Sequence, residues 1–332
     1  MMTVFDSWWI WAGFFVFVII AIVADLVLLK NQGAHKVAFK EAAIWTVFWV
    51  AISLIFNALL WLYLDITHTP EIASTKAYEF LTGYLIEKAL SVDNIFAFYM
   101  VFAMFRIPAE FQKRALIIGI VGSIILRTIM ILLGSLLIAR FSWILYIFGV
   151  FLIYTGIQML RHRGEEAISQ DSGMIVWLKK HVRFTQDFDG EKFFLIKSGV
   201  KYATPIFLAV ATIGMIDIVF AVDSIPAIFA ITYDPFIVLT SNIFAVLGLR
   251  ALYFLLADMV ERFRFLPVGL SIILIFIGAK MLINYYYHIP ITISLIVVAA
   301  ILLISVILSQ IVAVREKKKE TPSISSISSI SD

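Results

Sequence analysis

Residues 85–98 read LIEKALSVDNIFAF, a run apolar enough to cross a membrane that nonetheless holds Glu87, Lys88, Asp93 and Asn94. In a soluble protein the same run would be an ordinary buried helix. The rest of the chain excludes that reading. Of its 332 residues, 62% are hydrophobic and only 15% charged, whereas soluble domains carry about 25% charged residues. Apolar runs recur along almost the whole length, which predicts one integral membrane domain. There is no cysteine, so disulfides, thiolate metal sites and thiol catalysis are excluded.

A bilayer crossing takes about 20 mostly apolar residues. Nine runs qualify, at roughly 8–29, 42–64, 78–105, 115–138, 142–160, 203–232, 236–257, 265–284 and 289–313. The first is too long for a secretory signal and lacks a small-residue cleavage site, so it reads as a retained span. The expected fold is therefore an all-α integral membrane protein of about nine transmembrane helices, occupying residues 1–313. Residues 161–201 are too charged to enter lipid. The tail 314–332, charged and then Ser-rich, has the composition of a disordered segment.

Basic residues are retained on the cytoplasmic side during insertion. With the N-terminus outside, 20 of the 26 Lys and Arg fall inside, Lys76 and Arg140 fall outside, and four lie within spans. The bias predicts an inner-membrane protein with its N-terminus outside and its C-terminus and the 161–201 loop in the cytoplasm.

The opening stretch has a counterpart. SVDNIFA at 91–97 returns as AVDSIPA at 221–227, and aligning Asp93 with Asp223 sets Glu87 opposite Asp217. Further on, LRT with Arg127 matches LRA with Arg250, and GIQML from Gly156 matches GAKML from Gly278. Three matches in one order predict two repeats, about 78–160 and 203–284. Each holds three spans, so the second is inverted relative to the first. In transporters built this way the binding site lies near midplane where the repeats meet.

The ionisable residues within spans include Asp25, Glu87, Lys88, Asp93, Arg127, Asp217, Asp223, Arg250 and Lys280. A charge at a helix centre costs ~2.5–3.5 kcal/mol even on the most permissive scale. Asp25 and Lys280, near span ends, can relieve that cost by reaching toward the interface. One reading of the others is structural ion pairing, with Arg127 and Arg250 each locking a carboxylate, as in a membrane scaffold or insertion partner. That reading does not explain Asn94 and Ser224 beside the aspartates.

Carboxylates joined by neutral oxygen donors suit a hard divalent cation. The candidate ligands are Glu87, Asp93, Asn94, Asp217, Asp223 and Ser224, with Lys88, Arg127 and Arg250 as supporting charge. Residues six apart on a straight helix point ~120° apart, so Glu87 and Asp93 cannot both face one ion unless the helix unwinds. Pro226 predicts such a break in the second lead helix. The five histidines lie in loops or at span ends, which argues against an imidazole site. Asp65, Glu71 and Asp234 read as solvated outer charge. No HExxH, GxSxG or Walker pattern occurs, so neither an enzyme nor an ATP-driven pump is expected, and ion gradients or the membrane potential would supply the drive.

The segments EKALSVDNIFAF, FAVDSIPAIFAIT, DPFIVLTSNIFAVLGLRALYFLL and YHIPI resemble the TerC family of integral membrane proteins, over about Trp8 to Val312. The resemblance implies a multi-span inner-membrane protein of metal-ion homeostasis, chiefly manganese efflux, with an association with tellurite resistance. The family's acidic motifs fall on Glu87, Asp93, Asp217 and Asp223, with Asn94 and Ser224 alongside. One position departs: relatives commonly carry Glu three residues before the acid equivalent to Asp217, and here TIGMID places Gly214 there. The expectation is a secondary transporter exporting a divalent cation, manganese(II) first. The ion is substrate, with no permanently bound cofactor. Its partners are that ion and the bilayer, with no nucleic acid, and self-association is left open.

Overall fold

Three helices open on the same local chemistry, a proline preceded by an oxygen-bearing side chain: Thr69-Pro70, Thr204-Pro205 and Asp234-Pro235. Proline suits the first helical position, whose N–H has no partner inside the helix. The preceding side chain then accepts from an otherwise orphaned amide, that of Ile72, Phe207 or Phe236.

The computed structural model describes residues 5, 7–32, 39–141, 143–161, 182–185, 187, 190, 192–197, 199–257, 265–283 and 289–320. The first five helices are α1 (Trp8–Gln32), α2 (Phe39–Thr67), α3 (Pro70–Met104), α4 (Ala109–Arg140) and α5 (Ile144–Arg161). An antiparallel hairpin follows, β1 (Phe194–Lys197) with β2 (Val200–Ala203). Then come α6 (Pro205–Phe229), α7 (Pro235–Leu247), α8 (Leu249–Ala257), α9 (Leu266–Ile283) and α10 (Ile291–Glu320).

Each predicted span is helical, α7 and α8 together forming one of them with Gly248 between. Among the described residues, seven spans are long and apolar enough to cross a membrane. The other two are α3, which carries charge at its centre, and α9, whose apolar stretch Pro267–Ile283 is short. The protein is an all-α integral membrane protein. Three details differ from expectation. The break at Pro226 is not there: α6 continues to Phe229, because the proline falls in the last turn and withholds only the N–H that would bond to the Val222 carbonyl. Helix α10 continues to Glu320, past the point where the tail was expected to begin, and 321–332 lie outside the described residues. The polar loop contains the hairpin, while 162–181 lie outside the described residues.

Helix α7 is buried on every side from Phe236 to Leu247, as a helix apolar all round must be. Phe244 on α7 sits 4.6 Å from Phe56 of α2 and 5.9 Å from Phe80 of α3, ring centre to ring centre. The outer faces of α1, α2 and α10 present Ile19, Ile20, Ile44, Val47 and Leu303 outward, where lipid is as apolar as they are.

Two sets of contacts recur in matched form. A Cβ on Gly156 of α5 would lie 2.8 Å from both Ser271 O and Ile275 Cγ1 of α9, and one on Gly278 of α9 would lie 2.6 Å from Gly149 O and 2.8 Å from Ile153 Cγ1 of α5. A single shift of 122 residues (156 to 278, 149 to 271, 153 to 275) turns one set into the other. Likewise α3 runs parallel to α7, with Gly83 against Ser241 and Lys88 against Ala245, while α4 runs parallel to α6, with Gly119 against Ile213 and Arg127 against Asp217.

Candidate functional site

Arg127, in the middle of α4, has no exposed surface. Its guanidinium donates from Nη1 to Glu87 Oε1 of α3, and from Nη2 and Nε to the two oxygens of Asp217 of α6 at 3.1 and 3.3 Å. Nη1 also reaches Asn242 Oδ1 of α7 at 3.3 Å. In the amide orientation that satisfies its neighbours, Asn94 accepts from Arg127 Nη2 at 3.2 Å and donates to the Leu90 carbonyl at 3.3 Å. One planar fork thus ties together four helices, and the fixed charge and bidentate geometry of arginine make it suited to the task. The two acids it joins are those matched by the sequence repeat.

The cluster is not fully satisfied. Glu87 Oε2 and Asn242 Nδ2 make no hydrogen bond, and Ser224 Oγ approaches Glu87 without closing one. All three residues are buried. Such orphaned groups are uncommon in protein interiors and call for a water, an ion or a rearrangement. Two more partnerless buried hydroxyls, those of Ser123 on α4 and Thr212 on α6, lie nearer the starts of those helices.

Of the sequence-predicted site residues, Glu87, Asn94, Asp217, Ser224 and Arg127 come together. The side chains of Asp93 and Asp223 lie outside the described residues; their backbones continue α3 and α6 beside Asn94 and Ser224. Lys88 is turned elsewhere: its ammonium donates to the Ala245 carbonyl at 3.2 Å and stands 5.9 Å from the Tyr84 ring centre. A Cβ on Gly248 would meet Lys88 Nζ at 2.9 Å and Trp49 Cβ at 3.0 Å, so a larger residue there would displace the lysine ammonium.

Among the described side chains, the partner of Arg250 is not a lead-helix acid. Arg250 pairs with Asp25 of α1, an element outside the repeats, so positional equivalence to Arg127 does not carry over to its partner. Lys280 is buried and donates to Ser294 Oγ at 2.8 Å. Asp234 is buried too, capping α7, and is not a solvated loop charge. Lys113, counted with the loop charges, is buried within α4. Asn242 is the residue the sequence reading missed; its signal was the polar triplet Thr240-Ser241-Asn242 inside an otherwise apolar helix. Gly214 faces open space, since a Cβ there would meet nothing within 4 Å. Among the described residues no group of three or more His, Asp or Glu is arranged to hold a metal ion.

A membrane helix bundle with a buried ionic centre drawn from its two sequence-matched helices defines a polytopic protein with charge at its core. The chain belongs to the TerC family of integral membrane proteins, whose family model matches residues 72–319. It is 52% identical over 311 residues to "Putative membrane-bound redox modulator Alx" of Shigella flexneri and of Escherichia coli (strain K12), covering 93% of this chain and 97% of each relative. It is 45% identical over 302 residues to "Uncharacterized membrane protein STKORF319" of Myxococcus xanthus, covering 91% of this chain and 92% of that one. No solved structure matches the chain.

Proposed function

We propose that the protein is a secondary transporter that exports a divalent metal cation, manganese(II) foremost, through the buried centre, and that its halves are inverted repeats meeting there. The observation that carries the reading is an imbalance of charge. One guanidinium faces two carboxylates, one from each lead helix, where neither acid has more than 1% exposure. A single arginine cannot neutralise both, and one oxygen of Glu87 is left bare. The missing component is cationic and oxygen-seeking, and manganese(II), with its neighbours magnesium and calcium, takes such ligands. Asp93 and Asp223 would be the central ligands, Glu87 and Asp217 the flanking ones, and Asn94 and Ser224 the neutral donors.

Arg127 then acts as a tethered counter-cation. It holds the acids together when no ion is bound, which offsets the repulsion of two close anions, and gives way as the ion arrives. The reciprocal contacts of Gly156 and Gly278, and the matched parallel pairs α3 with α7 and α4 with α6, support a twofold relation between halves. The distribution of Lys and Arg supports an inner-membrane orientation with the N-terminus outside. The redox role in the name of the Alx relatives cannot run through thiols in a chain without cysteine; here it would act through the metal handled.

The paired Arg127 also fits a second reading, a scaffold or insertion partner in which the ions only join helices. Manganese(II) uptake into inside-out vesicles separates the two. Vesicles bearing the wild-type protein are expected to accumulate the ion. Asp93→Asn and Asp223→Asn should each abolish uptake while inserting normally. Wild-type uptake no greater than that of empty vesicles would support the scaffold instead.

A further inference from the structure

Away from the centre, buried charge gathers at the two ends of the bundle. At one end Lys76 and Glu79 of α3 pair at 2.8 Å, Lys76 Nζ lies 3.7 Å from Asp234 Oδ2, and Thr232 donates to Glu79 Oε2 at 2.6 Å. Lys280 of α9 stands within electrostatic reach of Glu79. At the other end Arg250 of α8 is paired with Asp25 of α1, with Lys113 of α4 and Glu41 of α2 within reach. Each set balances two cations against two anions, unlike the centre.

Each set also borders a depression in the surface. One is open and shallow, lined along α3 by Glu71, Ile72, Thr75 and Lys76. The other, much narrower, is bordered by Glu41, Trp45, Lys113, Arg250 and Phe254. Between them the centre is sealed. On the side of Arg250, Ser123 and Thr212, whose buried hydroxyls have no partner, stand along α4 and α6 between the level of the centre and that end. The end pairs retain contact with the outside, at 17% and 13% exposure for Lys76 and Glu79 and 10% and 15% for Arg250 and Asp25, against 0% for Arg127 and Glu87. Water can take over the bonds of the end pairs, so they yield more readily than the central one.

We propose that the two clusters are gates, Lys76–Glu79–Asp234 closing one mouth of a route to the centre and Asp25–Arg250 the other, both shut in this structure. The proposal rests on the central cluster being the ligand site, but its test needs no metal. The chain has no cysteine, so Ser224→Cys supplies a single reporter at the centre. Its reaction with a membrane-impermeant methanethiosulfonate is followed in right-side-out and inside-out vesicles. With both pairs intact the reaction should be slow from either face. Lys76→Gln should speed it about tenfold or more from the face bearing Glu71 alone. Asp25→Asn and, independently, Arg250→Gln should do so from the opposite face alone. The exchange Asp25→Arg with Arg250→Asp should restore the slow rate. Fast reaction with the pairs intact, unchanged rates in inserted variants, equal acceleration from both faces, or an exchange that stays fast would each overturn the gates. Metal uptake with none of these face-specific effects would overturn the gates while leaving transport standing.

Discussion

Arg127 meets Glu87, Asp217, Asn242 and Asn94 with no exposure of its own, so its removal strands two carboxylates in the interior. Breaking a buried ionic group by deleting one partner costs about 3–5 kcal/mol. Arg127→Gln is expected to lose about that much stability, read as a lowered midpoint of thermal unfolding in detergent. Arg127→Lys should lose less, because it keeps the charge and gives up only the fork. If the centre takes a divalent cation, manganese(II) should raise the midpoint of Arg127→Gln by more than that of the wild type, the ion standing in for the lost guanidinium. An Arg127→Gln protein as stable as the wild type would remove the counter-cation from the mechanism. Much of this centre was legible in the sequence: aligning the two DN/DS motifs set Glu87 against Asp217, and each acid in a span demands a partner. What was hidden is partner choice. Arg127 and Arg250 occupy matching positions, yet Arg250 turns to Asp25 on a helix that has no place in the repeat. Asn242 escaped because the triplet Thr240-Ser241-Asn242 carries no charge and so did not stand out among the ionisable groups. Asp234 looked solvated because a sequence does not reveal that α3 lies against the start of α7.

Helices were legible almost to their ends, since a bilayer requires long apolar runs and Thr-Pro or Asp-Pro marks three of the starts. Proline near a helix end misled, as Pro226 shows: its effect depends on how much helix remains to be broken. How helices pair depends on small residues that periodicity alone does not rank. Gly156 and Gly278 were matched as a repeat, but only the packing shows that each presses backbone to backbone across α5 and α9. Overpacking such a contact costs typically 1–3 kcal/mol. Gly156→Ala and Gly278→Ala are expected to lower stability by about that range and by similar amounts, because each contact is the other's counterpart. Gly122→Ala supplies the control. A Cβ there meets nothing within 4 Å, so the better helix propensity of alanine, up to ~1 kcal/mol, should leave the protein unchanged or slightly more stable. Unfolding midpoints of the three variants in one detergent decide the matter, and a neutral Gly278→Ala would dissolve the close α5–α9 contact.

Seen whole, the bundle sorts its helix ends into two faces. The pairing of Asp25 with Arg250, together with Lys113 and Glu41, puts the end of α1 and the starts of α2 and α4 on one face. Arg114 lies 5.8 Å from the Phe193 ring, and the Phe194 ring 4.7 Å from that of Phe207, so the hairpin and the start of α6 share that face. Lys76, Asp234, Lys280 and Ser294 mark the opposite one. The contacts fix which ends lie together but are indifferent to which face meets the cytoplasm. The basic residues favour the hairpin side as the cytoplasmic one, since the spans read from the sequence set 20 of the 26 Lys and Arg there against Lys76 and Arg140 opposite, and positive loops resist translocation. Reporter fusions after Lys197 and after Lys319 should therefore report the cytoplasm, and fusions near Glu71 the outside. A cytoplasmic signal at Lys197 but not at Lys319 would mean that an odd number of crossings separates them. That result would spoil the three-span count of the second unit and, with it, the proposed inversion of the two halves around Arg127.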